Sequence, residues 1–154
     1  MAELRYGHVE GPGHGREVPV KASIYFNRRG GKFVFLRQGS ASLCATIGKN
    51  PAGWLESSKS DDSKAGWKSV SGDTAFMIYA NDNDVFEMPA EEGVASLAAS
   101  QIGLMFRFAM TGATYALMQK ARVANTTASP LQVVDVDTDN HTVKVRVHPR
   151  YRQQ

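Results

Sequence analysis

Short runs in which apolar and polar residues alternate recur along the chain and predict β-strands separated by turns. The clearest early run places Val18, Val20, Ala22, Ile24 and Phe26 at every second position, as in a half-buried strand. Further apolar runs predict strands at 32–37, 41–47, 74–80, 85–88, 104–110, 114–118 and 120–124. Residues 94–100 favour a short helical turn. The pattern predicts an all-β fold, a small β-barrel or sandwich with at most short helical turns.

The last part of the chain predicts a terminal β-hairpin. Residues 131–136 and 142–148 are two apolar-rich runs, and the polar segment 137–141 between them is typical of a turn. The face predicted to point inward consists of Leu131, Val133, Val143, Val145 and Val147. Lys144, Arg146 and His148 should point outward. The pair Val133-Val134 puts apolar side chains on both faces, which indicates a bulge or an outer face covered by a neighbouring subunit.

Two segments interrupt this regular pattern. Residues 1–17 contain four glycines and a proline between positions 7 and 15, and they predict an extended N-terminal arm that is floppy or ordered by a neighbour. The barrel domain is then predicted at 18–154. Residues 48–73 predict a long loop that binds something or contains a hairpin, because a structureless loop of that length is unusual. Trp54 and Trp67 are expected to hold this loop against the barrel.

Length and composition fit one domain with its own hydrophobic core. The chain has 154 residues, of which 42% are hydrophobic and 21% are charged. No run is long and apolar enough for a membrane helix, and the first residues lack the pattern of a secretory signal. Cys44 is the single cysteine, so no intrachain disulfide can form. We expect a protein that folds in a reducing cytoplasm and does not enter a membrane.

Positive charge is concentrated near the N-terminus. The formal net charge is +3, but the first 40 residues alone carry seven basic and three acidic side chains. Such a segment indicates either an acidic partner surface, in a protein or a nucleic acid, or a solvated basic surface with no partner.

The residues that most often perform catalysis or bind metals do not form a convincing site. His8 and His14 lie in the glycine-rich arm with Glu10 between them, a weak metal pattern, and Cys44 lies in an apolar run typical of a core thiol. The run Asn81-Asp82-Asn83-Asp84 lacks the glycine that a calcium loop requires and is interpreted as a turn. The sequence predicts a protein that is not an enzyme and uses no cofactor or metal.

A single-stranded nucleic-acid-binding barrel is the main alternative. Its support is the interleaving of basic residues with aromatic ones, namely Arg28, Arg29, Lys32 and Arg37 with Tyr25, Phe26, Phe33 and Phe35. Strand alternation would bury many of these rings, so core packing is the favoured interpretation. Nucleic acid is therefore not the expected partner.

Residues 74–148 contain an ordered set of features. A strand and an acidic-polar turn lead into Val85-Phe86-Glu87-Met88-Pro89-Ala90, and a segment of small residues ends in Gln101-Ile102-Gly103. Tyr115-Ala116-Leu117 and the run 130–138 follow, before a valine-rich last strand. In this order the features resemble the C-terminal part of the small β-barrel capsid decoration proteins of tailed bacteriophages, also called cement or head-stabilising proteins. The resemblance covers about half of the chain.

The resemblance implies a structural virion protein on the capsid exterior. Its partner would be the major capsid protein, and it would stabilise contacts between capsomers as a homo-oligomer, a dimer or a trimer. A tail or baseplate component with the same barrel stays open. The side chains expected to bind the capsid come from the arm, the first basic turn and the outer face of the hairpin. They are Arg5, Tyr6, His8, Arg16, Arg28, Arg29, Lys144 and Arg146.

Overall fold

The structure is a computed structural model that describes residues 6–27, 29–44, 50–56, 66–91, 96–111, 118–122 and 129–153. The predicted all-β class is confirmed. The first strands are β1 (Gly7–Glu10), β2 (Gly15–Pro19), β3 (Tyr25–Asn27), β4 (Phe33–Arg37), β5 (Ser40–Leu43), β6 (Gly53–Glu56) and β7 (Gly66–Lys68). The later strands are β8 (Thr74–Tyr79), β9 (Val85–Glu91), β10 (Met105–Thr111), β11 (Met118–Arg122), β12 (Leu131–Asp137) and β13 (Thr142–Val147). Two 3₁₀ turns occupy Ala99–Gln101 and Pro149–Tyr151.

Five strands close into a barrel in the order β9-β11-β10-β12-β13 and back to β9. The β9–β11 pair is parallel and the other four pairs are antiparallel. Closure pairs the strand edges with each other, so the barrel strands leave few main-chain groups unpaired. Strand β1 lies beside the first half of β9, ahead of the segment that pairs with β11.

The barrel interior is filled by side chains from every second position of its strands. Phe86, Met88, Phe106 and Phe108 are buried there with the valines of the last strand. Phe33 of β4 enters this core, with its ring centroid 5.1 Å from that of Phe86 and 5.7 Å from that of Phe108. The barrel therefore shares its core with the second sheet of the protein.

The second sheet has the order β2-β8-β6-β4-β5 and is apolar on both faces. Trp54 and Ile78 face the barrel core, whereas Leu55 and Met77 belong to a second hydrophobic cluster on the opposite face. That opposite cluster is completed by the short β3–β7 pair, which contributes Phe26. Because side chains alternate along each strand, the second sheet contributes to two hydrophobic cores, one on each face, and neither face is left to solvent.

The predicted terminal hairpin is confirmed. Strands β12 and β13 pair in antiparallel fashion, and all five residues predicted to point inward are at most 1% exposed. The pairing register shifts between Val133 and Asp135, and Val134 is 38% exposed. The apolar pair is thus explained by a β-bulge, which adds one residue to a strand and turns it outward.

The segment predicted as an arm, 1–17, is described from residue 6 onward, and there it is paired with both sheets. Strand β1 pairs with β9 of the barrel, and β2 pairs with β8 of the second sheet. The glycines permit close packing here rather than looseness: a Cβ atom on Gly15 would collide with the carbonyl of Met77. The segment therefore joins the two sheets.

Other boundaries differ from the predictions. The run 18–26 is not one strand, because Ser23 has a positive φ of 66° and turns the chain between β2 and β3. The predicted loop 48–73 contains β6 and β7, which pair with other strands and not with each other. Both tryptophans do pack on the body of the protein, since Trp54 is 2% exposed and Trp67 stacks on Phe26 at 5.3 Å between centroids.

Pro89 does not end its strand as predicted. Ala90 N–H donates to His141 O, so the nitrogen of the preceding residue faces the other side of β9. On that side of β9, pairing with β1 ends at Glu87 and pairing with β11 begins at Ala90. A residue without an N–H is tolerated in this gap.

Candidate pocket on the outer face of the barrel

A row of paired charged residues lies on the outer face of the barrel where β12, β13 and β9 meet. Lys144 of β13 is opposite Asp135 of β12 on one side and opposite Glu87 of β9 on the other. Opposite charges at cross-strand positions attract each other. This row is the centre of the candidate site.

The row lines a pocket of about 130 Å³, which is enough for one side chain or a few waters. Its walls are Glu87, Asp135, Val136, Asp137, Thr142 and Lys144. The Thr142 hydroxyl donates to Glu87 Oε1 at 2.9 Å and fixes that carboxylate. Three carboxylates against one ammonium give the pocket a formal charge of −2, which suits a cationic or amide-bearing group.

Asp137 is held by the turn that follows β12. Its carboxylate accepts from the side-chain amide of Asn140 at 2.8 Å and from backbone N–H groups of Asp139 and Asn140. The side-chain hydrogen bond from Asn140 is the main reason why the pKa of Asp137 lies below 3.8. The carboxylate therefore stays charged in mildly acidic solution.

Glu87 has predicted capsid-binding residues on both sides. Tyr6 precedes Gly7, which is opposite Glu87 on the β1 side of β9, and Lys144 is opposite Glu87 on the β13 side. Burial raises the pKa of Tyr6, the charge of Glu87 raises it further, and the charge of Arg29 opposes the rise. Tyr6 is half-buried and packs against the barrel core.

Lys32 and Glu56 form a second polar pair close to β1. The Lys32 ammonium is 5.9 Å from the centroid of the Trp54 ring, within cation–π range. Burial lowers the pKa of Lys32, and the charge of Glu56 partly offsets this effect. Gly7 lies against Trp54 and near the Glu56 carboxylate, so this pair borders the same strand.

His8 has a structural position rather than a surface one. Its Nε2 is 2.8 Å from Oδ1 of Asp84, which is fully buried and also accepts from Gly13 N–H at 2.9 Å. The His8 ring packs edge-on against Phe86 at 5.6 Å. The contact fixes the turn between β1 and β2 onto the start of β9.

Two further residues predicted to bind the capsid lie away from the pocket. Arg16 is exposed on β2 of the second sheet, opposite Met77. Arg146 is exposed on β13 and donates to Gln132 at 2.6 Å. Arg5 and Arg28 lie outside the described residues.

The other chemical candidates also have defined places. Cys44 is fully buried, which confirms the prediction of a core thiol. Asn81–Asp84 forms a turn, and Asp82 in it accepts from Arg152 at 2.6 Å. Within the described ranges, no three His, Cys, Asp or Glu side chains are placed to hold a metal ion. Among the same residues there is no helix long and apolar enough to cross a membrane.

Sequence reasoning missed most of the pocket. Glu87 and Thr142 carry no motif, and they meet because β9 and β13 pair at barrel closure. The alternation at 142–148 did identify Lys144 as outward-facing, and the turn at 137–141 placed Asp137 nearby. No family model, curated protein or solved structure matches the chain.

Proposed function

We propose that this protein is a non-enzymatic structural component of a phage virion that binds the outer surface of the capsid and stabilises contacts between capsomers. The observation that carries the proposal is that Glu87 of the pocket is flanked by Lys144 on β13 and, on the β1 side of β9, by Gly7, the residue after Tyr6. Tyr6 and Lys144 are both expected from the sequence to bind the capsid, and they come from distant parts of the chain.

The resemblance to decoration proteins gains support from where its features fall. The run 85–90 lies in β9, Gln101-Ile102-Gly103 directly precedes β10, and 130–138 covers β12. These three features thus lie in or directly before strands of one closed barrel, whereas the strand at 74–79 is β8 of the second sheet. The resemblance therefore rests on the order of the features along the chain and on their positions in the fold.

A clamp on a shell needs surface complementarity and repetition, not catalysis. The pocket offers a fixed carboxylate cluster for a basic side chain of the capsid protein, and the half-buried Tyr6 precedes Gly7, which is opposite Glu87 on the other side of β9. Tyrosine and arginine are enriched at the centres of protein interfaces. Copies of the protein, as a dimer or trimer, would add many such contacts over one shell, and avidity would multiply their effect.

Single-stranded nucleic acid fits these features less well. Phe26 and Phe33 are at most 1% exposed, and Tyr25 and Phe35 are only partly exposed. Nonspecific single-strand binding relies on accessible rings on which bases stack. The expected core role of Phe26 and Phe33 is confirmed.

The test is co-sedimentation with empty capsid shells of the virus that encodes the chain. The parent protein should sediment with shells, and Glu87→Gln and Tyr6→Ala should weaken binding by about tenfold each, as for interface hot spots. Arg37→Ala removes an exposed charge from the second sheet and should bind like the parent. Point substitutions are preferable to deleting residues 1–17, which would remove two paired strands.

A parent protein that stays in the supernatant at saturating shell concentration contradicts the proposal. Sedimentation with isolated tails but not with shells would assign it to the tail instead. Circular dichroism of each variant confirms that the barrel is intact before binding is compared.

A further inference from the structure

A second charged surface lies on the outer face of the barrel, on the β10–β11 pair. Arg107 of β10 is directly opposite Arg122 of β11, and Lys120 of β11 is opposite Ala109. The neighbouring Phe108 and Ala121 point into the barrel core, so these three cations share the outer face. We call Arg107, Lys120 and Arg122 the cationic ladder.

The charges of the ladder are only partly compensated. Glu91 of β9 is in register with Arg122, and their side chains form an ion pair at 3.2 Å. Neither β10 nor β11 contains an acidic residue. Like charges directly opposite on paired strands destabilise a sheet. The arrangement therefore costs stability in the isolated protein, and a bound anion would remove that cost.

Arg107 carries a direct sign of a missing partner. Its Nε is buried, and no hydrogen-bond acceptor for it exists among the residues that the structure describes. A buried guanidinium N–H without an acceptor is expensive, because its bond to water is lost without replacement. Arg107 as a whole is only half-buried, so a carboxylate that approached from outside could accept from the terminal amino groups of the guanidinium.

The side chains around the ladder indicate which kind of anion fits. Met105 and Thr111 of β10 and Met118 of β11 share the same outer face and are half-buried. Arginine and methionine are enriched in protein interfaces, whereas single-strand binding needs exposed aromatic rings. The described parts of β10 and β11 place both of their phenylalanines in the core. The surface suits a peptide with both acidic and apolar side chains.

We propose that the cationic ladder is a docking surface for an acidic, partly apolar segment of a partner protein. Carboxylates of the segment bind Arg107 and Lys120, and its apolar residues cover the methionines. This inference does not depend on the capsid proposal, because it is derived from a different set of strands and from an unsatisfied group in the isolated chain.

The experiment uses the full chain and a fluorescein-labelled peptide of alternating glutamate and leucine, with anisotropy as the readout. Arg107→Gln and Lys120→Gln should each weaken peptide binding by about tenfold, the effect of losing a charge-assisted hydrogen bond. Arg37→Gln removes the same charge from an exposed site on β4 and is the matched control. An oligothymidylate of the same formal charge is the competing probe.

Thermal melts give an independent readout. The peptide should raise the Tm of the parent and of Arg37→Gln but not that of Arg107→Gln, and Arg107→Gln alone should melt no lower than the parent. The proposal is overturned if the control and ladder variants bind the peptide equally. It is also overturned if oligothymidylate binds more tightly than the peptide and loses affinity in the ladder variants, which would assign the surface to nucleic acid.

Discussion

Replacement of Gln119 by leucine tests whether one buried amide holds the barrel to the second sheet. Gln119 belongs to β11, is fully buried and points toward the barrel interior. Its Oε1 accepts from Phe33 N–H at 3.0 Å, and its Nε2 donates to Phe33 O at 3.0 Å and to Cys44 O at 2.8 Å. The side chain thereby bridges the backbones of Phe33 and Cys44 at the end of the β4–β5 pairing.

The magnitude follows from what leucine leaves behind. Phe33 O keeps the bond from Cys44 N–H, but Phe33 N–H faces an apolar side chain. Loss of three hydrogen bonds and one unsatisfied buried donor should cost about 2–4 kcal/mol, because only one side of each bond is replaced. That is a large fraction of a stability of about 5–15 kcal/mol. For a chain of this size the Tm should fall by about 4–16 °C.

The assay is urea unfolding and calorimetry of Gln119→Leu beside Gln132→Leu. Gln132 is also on a barrel strand, but it is only half-buried and bonds to the exposed Arg146, so its replacement should change stability by about 0.5 kcal/mol or less. If both variants unfold at the same urea concentration as the parent, the amide does not join the sheets and the reasoning is wrong.

Three further outcomes are expected. Val145→Asp should abolish folding, because Val145 is fully buried in the barrel and an unpaired charge there costs several kcal/mol. Arg146→Ala, at an exposed site, should melt like the parent. If thermal melts gave the reverse result, Arg146 and not Val145 would face the interior. Burial lowers the pKa of Lys32 in the folded protein, so between that pKa and 10.5 the unfolded chain binds more protons and stability rises with pH. Urea unfolding at neutral pH and at about pH 10 should show this rise in the parent and not in Lys32→Met. Gln153→Ala removes two hydrogen bonds to the Leu36 backbone, at 2.6 and 2.7 Å, and should speed hydrogen exchange of the Leu36 amide. Unchanged exchange would show that Gln153 does not protect this amide.

The C-terminal hairpin was predictable because strict alternation makes the two faces chemically different. Val143, Val145 and Val147 can only be buried together if the strand keeps one register. The pairing of the N-terminal segment was not predictable because glycine density has two physical meanings. Glycine permits disorder, but it also permits a neighbouring backbone to approach closely, as Gly15 does beside β8. Sequence alone does not distinguish these cases.

The pocket and the cationic ladder could not be predicted for a different reason. Their residues carry no local motif, and the distances along the chain are long: Glu87 meets Lys144, and Glu91 meets Arg122. Such neighbours follow only from strand order and register, and here the order includes a parallel β9–β11 pair. The outward direction of Lys144 was available from alternation, but not what lies beside it.

The position of β13 has a consequence for how the protein is synthesised. This strand lies between β9 and β12, so the ring of strands stays open until residues 142–147 have left the ribosome. Until then β9 lacks one of its neighbours and the apolar interior is uncovered. Unpaired edges and exposed apolar surface make such intermediates prone to aggregate. Nascent chains stalled before residue 142 should therefore remain protease-sensitive in the barrel and attract chaperones, whereas emergence of β13 allows the ring of strands to close.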